Sequence, residues 1–392
     1  MNIRVQSNIW KIGVIKALRW FMLMMPTIVL FFQENGLSMK EVLLLQSLFS
    51  VAVIIFEIPS GYFSDVVGRK ATIVLACILS FLGFSIYTIS YGFTGFLIAE
   101  LVLGLGSSFL SGTDSAILYD SLLQANRDGE YKKYEGRLSA VGNFSEALAS
   151  FAGGLLAVIS LRTPIYAEAI VVFFSIPLAL TLVEPARKAY KNTEGSIREI
   201  AKIVTYCLHQ HSELKWLMVY SAIVGASTLT MAWFVQPYFL TVGLPLAYFG
   251  IAWGLLNIST GMFSLYAHKI EMTLGRTRSL VMLIFLSFLG SLLLALFQSL
   301  WAMVFLLLFY FVRGVNNPII QDYVNRLMTS DMRATVLSVK NLVGRILFAI
   351  IGPFIGWITD VYSLQVALIT SGSMFLGLGV ISLLFLRKYK AV

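Results

Sequence analysis

The chain has 392 residues, of which 58% are hydrophobic and only 12% charged, against roughly 45–50% and about 25% in soluble domains. With 29 Phe and 30 Gly, too little polar surface remains to cover a fold of this size in water, so the composition excludes a soluble domain and requires lipid as solvent. The net charge of +9 does not point to nucleic acid, because Lys and Arg fall between apolar runs and form no continuous basic stripe.

A membrane-crossing helix needs about 20 mostly apolar residues. Runs of that kind centre near Met22, Val53, Leu79, Ser108, Phe151, Phe174, Gly225, Leu256, Phe288, Phe311, Ile350 and Phe375, which predicts about twelve spans. The first, about Ile12 to Phe32, is longer than a signal-peptide core and lacks a small-residue cleavage site, so it reads as a retained, continuous span. Asn35-Gly36 then turns the chain, and Ser38-x-x-Glu41 is a capping box that opens the second helix. Connections this short make neighbouring helices antiparallel. Cys77 and Cys207 form no disulfide framework and have no metal-ligand spacing around them.

Placing the N-terminus in the cytoplasm puts Arg69, Lys70, Arg127, Lys132, Lys133, Arg187, Lys188, Lys191, Arg198, Lys202, Arg276, Arg333, Arg387 and Lys388 on that side, and leaves Lys40 and Arg162 opposite. This asymmetry follows the positive-inside rule, and an even number of spans returns the C-terminus to the cytoplasm. The long polar segment from about Glu184 to Lys215 places Ile197, Ile200, Ile203 and Val204 at helical spacing, as an amphipathic linker on the inner surface would. His209 and His211 lie there beside Cys207 and read as solvated polar residues rather than metal ligands; no metal or cofactor is expected.

The expected organisation is therefore a six-helix bundle over residues 1–184, a cytoplasmic linker over 185–214 and a second six-helix bundle over 215–392. An internal repeat supports two halves. Ile58-Pro59-Ser60-Gly61-Tyr62-Phe63-Ser64 returns as Ile258-Ser259-Thr260-Gly261-Met262-Phe263-Ser264, and Gly112-Thr113-Asp114-Ser115-Ala116 as Gly314-Val315-Asn316-Asn317-Pro318. Two all-α, pseudo-symmetric bundles around a central cavity are the expected fold.

Gly61-Tyr62-Phe63-Ser64-Asp65-Val66-Val67-Gly68-Arg69-Lys70 follows the second span. Gly61 is expected to admit a facing helix, Asp65 to meet a helix N-terminus, and Gly68 to turn the chain. The segment resembles the signature loop of the major facilitator superfamily, Gly-x-x-x-Asp-x-x-Gly-Arg-Lys/Arg, and falls where that family carries it. The resemblance implies a conformational latch of the outward-open state: Asp65 would meet the start of helix eleven, here about Arg333 to Ser338, and Arg69 would pair with Asp120. The second half departs from the pattern, with Leu265 at the place of Asp65 and only Gly275-Arg276 kept.

Ionisable groups at span centres cost about 2.5–3.5 kcal/mol each and mark functional sites. Glu57 shares a helix face with Gly61 and Asp65. Asp114 falls in a small and polar stripe with Gly104, Ser107, Ser111 and Ser115; Asn143, Glu146, Ser150 and Gly153 form another. Glu57, Asp114 and Glu146 are the candidates for proton coupling, since a carboxylate out of water can take up and release a proton. Their counterparts are Asn257, Asn316 and Arg345, with Arg313 added in the tenth span, and Asn317 beside it. Arg313 and Arg345 can anchor an anion or pair with the acids, and Asn143, Asn257, Asn316, Asn317 and Trp233 join them as candidates for contacting a substrate. Lys16 and Arg19 read as snorkelling side chains. Trp20, Tyr220, Trp233, Tyr238, Trp253 and Tyr310 are of a kind that lines an amphipathic substrate cavity or forms an interfacial belt, and the belt explains most of them more cheaply.

No phosphate-cradling Gly-x-x-x-x-Gly-Lys-Ser/Thr occurs and no catalytic triad has credible spacing, so an enzyme is not expected and a gradient must drive transport. The sequence therefore predicts a secondary transporter with protons and a small solute as partners, a monomer in a bacterial inner membrane. Export of an amphipathic compound comes first; Ala149-Ser150 before Gly153-Gly154, where drug antiporters carry Gly-Pro, weighs against antiport. Uptake of an organic anion is the second reading, and a non-transporting membrane sensor the third.

Overall fold

The computed structural model describes residues 3–186, 205, 211–328 and 333–389. Ile197, Ile200, Ile203, Val204, Cys207 and His209 of the expected linker lie outside the described residues. Helices make up most of what is described, and no strand occurs among those residues. A chain in lipid must satisfy its backbone polar groups internally, and the helix does so within one segment.

The first span is α1 (Ile3–Arg19) followed by α2 (Ile28–Glu34). The next five are α3 (Met39–Val66), α4 (Arg69–Ile89), α5 (Gly92–Leu110) continued by α6 (Thr113–Gln124), α7 (Tyr131–Ile159), and α8 (Thr163–Phe173) continued by α9 (Ser175–Leu180). After the linker come α10 (Ser212–Thr241), α11 (Phe249–Leu296), α12 (Leu306–Leu327), α13 (Arg333–Val361) and α14 (Leu364–Lys388). Among the described residues, ten stretches are long and apolar enough to cross a bilayer by themselves. At about 1.5 Å per residue, α11 is more than twice as long as the roughly 30 Å hydrocarbon layer. It is two spans that meet at Gly275, whose φ of 76° and ψ of 168° lie outside the helical region. Counting both of these and the interrupted first span, the described residues make twelve crossings, arranged as two pseudo-symmetric six-helix bundles.

The expected continuous first span is corrected: residues 20–27 are not helical. Pro26 has no N–H to donate, and the Met24 N–H leaves the helical ladder for the carboxylate of Glu168, at 2.9 Å. The capping box at the start of α3 is present, with Ser38 N–H donating to Glu41 Oε2 at 2.9 Å and Glu41 N–H to Ser38 Oγ at 3.3 Å. Pro164 stands in the first turn of α8, where its missing N–H costs nothing.

The chain forms two compact units. The first comprises Met1–Leu37, Leu48–Lys191 and Leu246–Gly254. Within it α4 packs along α5 and α8, while α1 lies against α6, α7 and α9 around a core of Ile12, Ile15, Ile73, Cys77, Ile117 and Leu122. The start of α11 belongs here: Gly250 faces Gly154 and the Ser150 carbonyl of α7, so close that no side chain fits at either glycine. The second unit comprises Ser38–Ser47, Asn192–Pro245 and Leu255–Val392. In it α10 is enclosed by α12, α13 and α14. The first turn of α3 belongs to this unit, and its Met39 and Lys40 N–H groups donate to Asp360 Oδ1 and Oδ2, both at 2.8 Å.

The repeat seen in the sequence reappears as repeated contacts. In the first unit Ser60 Oγ donates to the Ser108 carbonyl at 2.9 Å, and Phe63 meets Phe109 edge to face at 5.3 Å. In the second, Thr260 Oγ1 donates to the Tyr310 carbonyl at 3.4 Å, and Phe263 meets Phe311 at 5.1 Å.

The aromatic residues correct another expectation. Tyr220, Tyr238, Trp233, Trp253 and Tyr310 are buried within the protein rather than arrayed as a belt. The Tyr220 and Tyr238 hydroxyls donate to the Leu280 and Phe297 carbonyls at 2.6 and 2.7 Å, which gives each a polar anchor inside an apolar core.

Candidate functional site

The signature loop ends α3 and starts α4. Gly68, the residue before α4, has φ 128° and ψ 151°, a conformation open only to glycine. The turn brings Arg69 against α6, where its guanidinium pairs with Asp120 and donates to the Ala116 carbonyl. Glu184 completes the corner, its two carboxylate oxygens accepting the N–H groups of Arg69 and Lys70 at 2.9 and 2.7 Å. These are free donors of a helix N-terminus, so an acid there is favoured twice, by hydrogen bonding and by the helix dipole. The sequence gives Glu184, the last residue of the expected first bundle, no role; an acid directly after a span is the available signal. Asp65 is exposed at the end of α3. The close approach expected at Gly61 is not seen among the described residues, since a Cβ there would meet nothing within 4 Å.

Glu57 in α3 and Glu146 in α7 are half-buried, and Asn143 is exposed. Asp114 lies beyond a break that the stripe reading did not foresee: Gly112, with φ 73°, separates α5 from α6, so Gly104 and Ser107 do not continue onto the helix of Asp114. Asp114 Oδ2 pairs with Lys16 Nζ at 2.8 Å, and the Ser115 N–H donates to Oδ1 at 2.9 Å. Lys16 is therefore a partner of an acid inside the first unit rather than a snorkelling side chain. Arg19, one turn on, has a buried Nη1 with no hydrogen bond among the described residues.

In the second unit Arg313 and Asn317 are exposed, Asn257 and Arg345 half-buried, and Asn316 and Trp233 buried. Asn316 Oδ1 has no hydrogen-bond partner among the described residues. Asn317 Oδ1 accepts from Lys340 Nζ at 3.0 Å. Lys340, only 9% exposed on α13, is a cation that sequence reading missed. Arg276, the counterpart of Arg69, pairs with Glu213 at 2.8 Å and lies 4.6 Å over the Tyr323 ring, whose hydroxyl donates to Glu271 at 2.8 Å.

Two further acids were also missed. Glu100 in α5 accepts the Tyr87 hydroxyl at 2.7 Å, and Glu168 in α8 accepts the Met24 N–H; both carboxyls are buried. Each sits in an apolar run whose spacing gave no polar stripe.

The profile of the Major Facilitator Superfamily matches residues 12–353. Among solved structures, the nucleoside transporter NupG superposes with a TM-score of 0.81 at 14% identity, covering 99% of this chain and 100% of the other. A bacterial homolog of the human lysosomal transporter Spinster, inward-facing and unoccupied, gives 0.72 at 15% identity over 99% and 95%. A D-xylose-proton symporter gives 0.72 at 13% identity over 97% and 96%. No curated protein matches the sequence. The profile match runs from the first span into the eleventh, over the signature loop and both repeats, and the chain belongs to the Major Facilitator Superfamily.

Proposed function

We propose that the chain is a proton-coupled secondary transporter that exports a small amphipathic compound by alternating access. The observation that carries proton coupling is the Lys16–Asp114 pair, 2.8 Å long, with side chains 20% and 13% exposed. A proton on Asp114 discharges that pair and frees a lysine inside the fold, so one binding event changes both charge and packing. Glu57 and Glu146 remain candidates for the same role. One fold relative is a proton symporter, so this fold accommodates such coupling. On this reading the protein works as a monomer in a bacterial cytoplasmic membrane, with both termini inside, as the Lys and Arg bias of the loops supports.

A specific observation favours a second reading, uptake of a small organic anion. Lys340 is a buried ammonium whose hydrogen bond goes to the neutral amide of Asn317, four residues after Arg313 in the same helix. A substrate carboxylate would supply the counter-charge.

Reconstituted vesicles separate the two, with ethidium as amphipathic probe and benzoate as anion. The first reading expects ethidium efflux driven by an imposed pH gradient and lost in Asp114→Asn. Ethidium flux indifferent to the gradient and unchanged in Glu57→Gln, Asp114→Asn and Glu146→Gln removes proton coupling. Gradient-driven benzoate uptake that disappears in Lys340→Met installs the second reading in place of the first.

A further inference from the structure

We propose that Glu168 is a proton-binding site that governs the break in the first span, so that loading or losing its proton changes the conformation of residues 20–27. The inference deepens the proton-coupled reading and rests on it for the link to flux.

The break is expensive by itself. Backbone groups released from a helix at membrane depth cost several kcal/mol apiece unless protein partners satisfy them. The structure supplies two devices. Gly153 of α7 lets the unwound chain press close, because a Cβ there would stand 1.9 Å from the Leu23 carbonyl oxygen. Glu168 reaches over from α8, 1% exposed, and its Oε2 takes the Met24 N–H at 2.9 Å.

Its other oxygen, Oε1, is buried and has no hydrogen bond among the described residues. Among them Glu168 also makes no ion pair, and the charged and titratable groups on the elements packed around it leave it without one. Tyr87 of α4 gives its hydroxyl to Glu100 of α5. Arg162, at the foot of α8, binds the Thr88 and Ser90 carbonyls and Asn35 Oδ1, and stacks over Phe31 and Tyr91. On α1, Lys16 is paired with Asp114, and Arg19, whose Nη1 has no hydrogen bond among the described residues, forms no ion pair with Glu168. Glu146 of α7 is itself an acid, as is Glu34 at the end of α2. A proton is the partner that Oε1 lacks.

The coupling follows from hydrogen-bond strength. A carboxylate holds backbone N–H groups roughly twice as strongly as a neutral acceptor does. The N–H of Met24 is available to Glu168 only while the span is unwound there. Ionised Glu168 therefore stabilises the break, and protonated Glu168 loosens its hold and lets residues 20–27 rearrange. The full balance is one proton bound to Oε1 and one carboxylate charge removed.

The test uses the full-length protein in liposomes, with no substrate needed. Infrared difference spectroscopy between acid and neutral pH should show a protonated carboxyl band that vanishes in Glu168→Gln and shifts in frequency in Glu168→Asp. Amide exchange at residues 20–27, corrected for intrinsic pH dependence, should change across the same titration in the native chain and stay at the acid-form level in Glu168→Gln, which keeps an acceptor for Met24 N–H. An unchanged band in both variants, or protection of this segment that does not vary with pH, overturns the proposal. Ethidium flux separates the two ideas: native flux indifferent to a pH gradient removes the coupling reading while the spectra still decide Glu168. Gradient-driven flux that survives intact in Glu168→Gln removes Glu168 from coupling and leaves the reading standing.

Discussion

At the scale of single residues, the corner after the second span is held by one ion pair and one cap. Arg69 pairs with Asp120. Glu184 accepts from two backbone amides more than a hundred residues away, a contact that no sequence spacing encodes. Removing it in Glu184→Ala leaves two helix-terminal donors uncapped and should cost about 0.5–2 kcal/mol, read as a lower thermal midpoint in detergent; an unchanged midpoint contradicts the capping role. Glu168 was hidden for the same reason, since its hydrogen bond exists only because a helix 144 positions away is broken. Gly153 belongs to a small-residue stripe in the sequence, and what it contributes is the space it leaves for Leu23. Gly153→Ala forces the two backbones apart and should destabilise the first unit by about 1–3 kcal/mol or more, with faster amide exchange at residues 20–27 as the sign that the break, rather than α7 alone, has moved.

At the scale of elements, hydrophobic run length located the spans but not their interruptions. A window of about twenty apolar residues reads the same whether the helix continues or unwinds, so the breaks at 20–27 and at Gly112 were not legible, although Pro26 and Gly112 sit at them. The turn between the eighth and ninth spans was legible through Gly275-Arg276, the remnant of the signature. Gly68 and Gly275 both adopt conformations that only glycine tolerates well. Gly68→Ala and Gly275→Ala should each cost about 1–3 kcal/mol in thermal unfolding, and loss at one site alone would show that the two turns are not equivalent. The repeat was legible because it recurs in small and aromatic residues that touch: Ser60 and Thr260 each bond a carbonyl, and Phe63 and Phe263 each meet a ring.

At the scale of the whole molecule, composition and charge asymmetry gave the class, and the family match over residues 12–353 agrees with it. Function at this scale is the proposal that two bundles exchange access to a solute and that protons on buried carboxylates set the balance. A ligand can shift such an equilibrium only by its differential affinity for the two states, and the proposal makes the proton that ligand. The most direct measurement places spin labels on exposed positions, Val67 in the first unit and Met272 in the second, in an otherwise native chain in lipid. Pulsed distance measurements at acid and neutral pH should show two distance populations whose ratio moves with pH, and Asp114→Asn should hold the ratio at its acid value at both. A single distance that ignores pH, or a pH-driven shift that Asp114→Asn leaves untouched, would contradict the account.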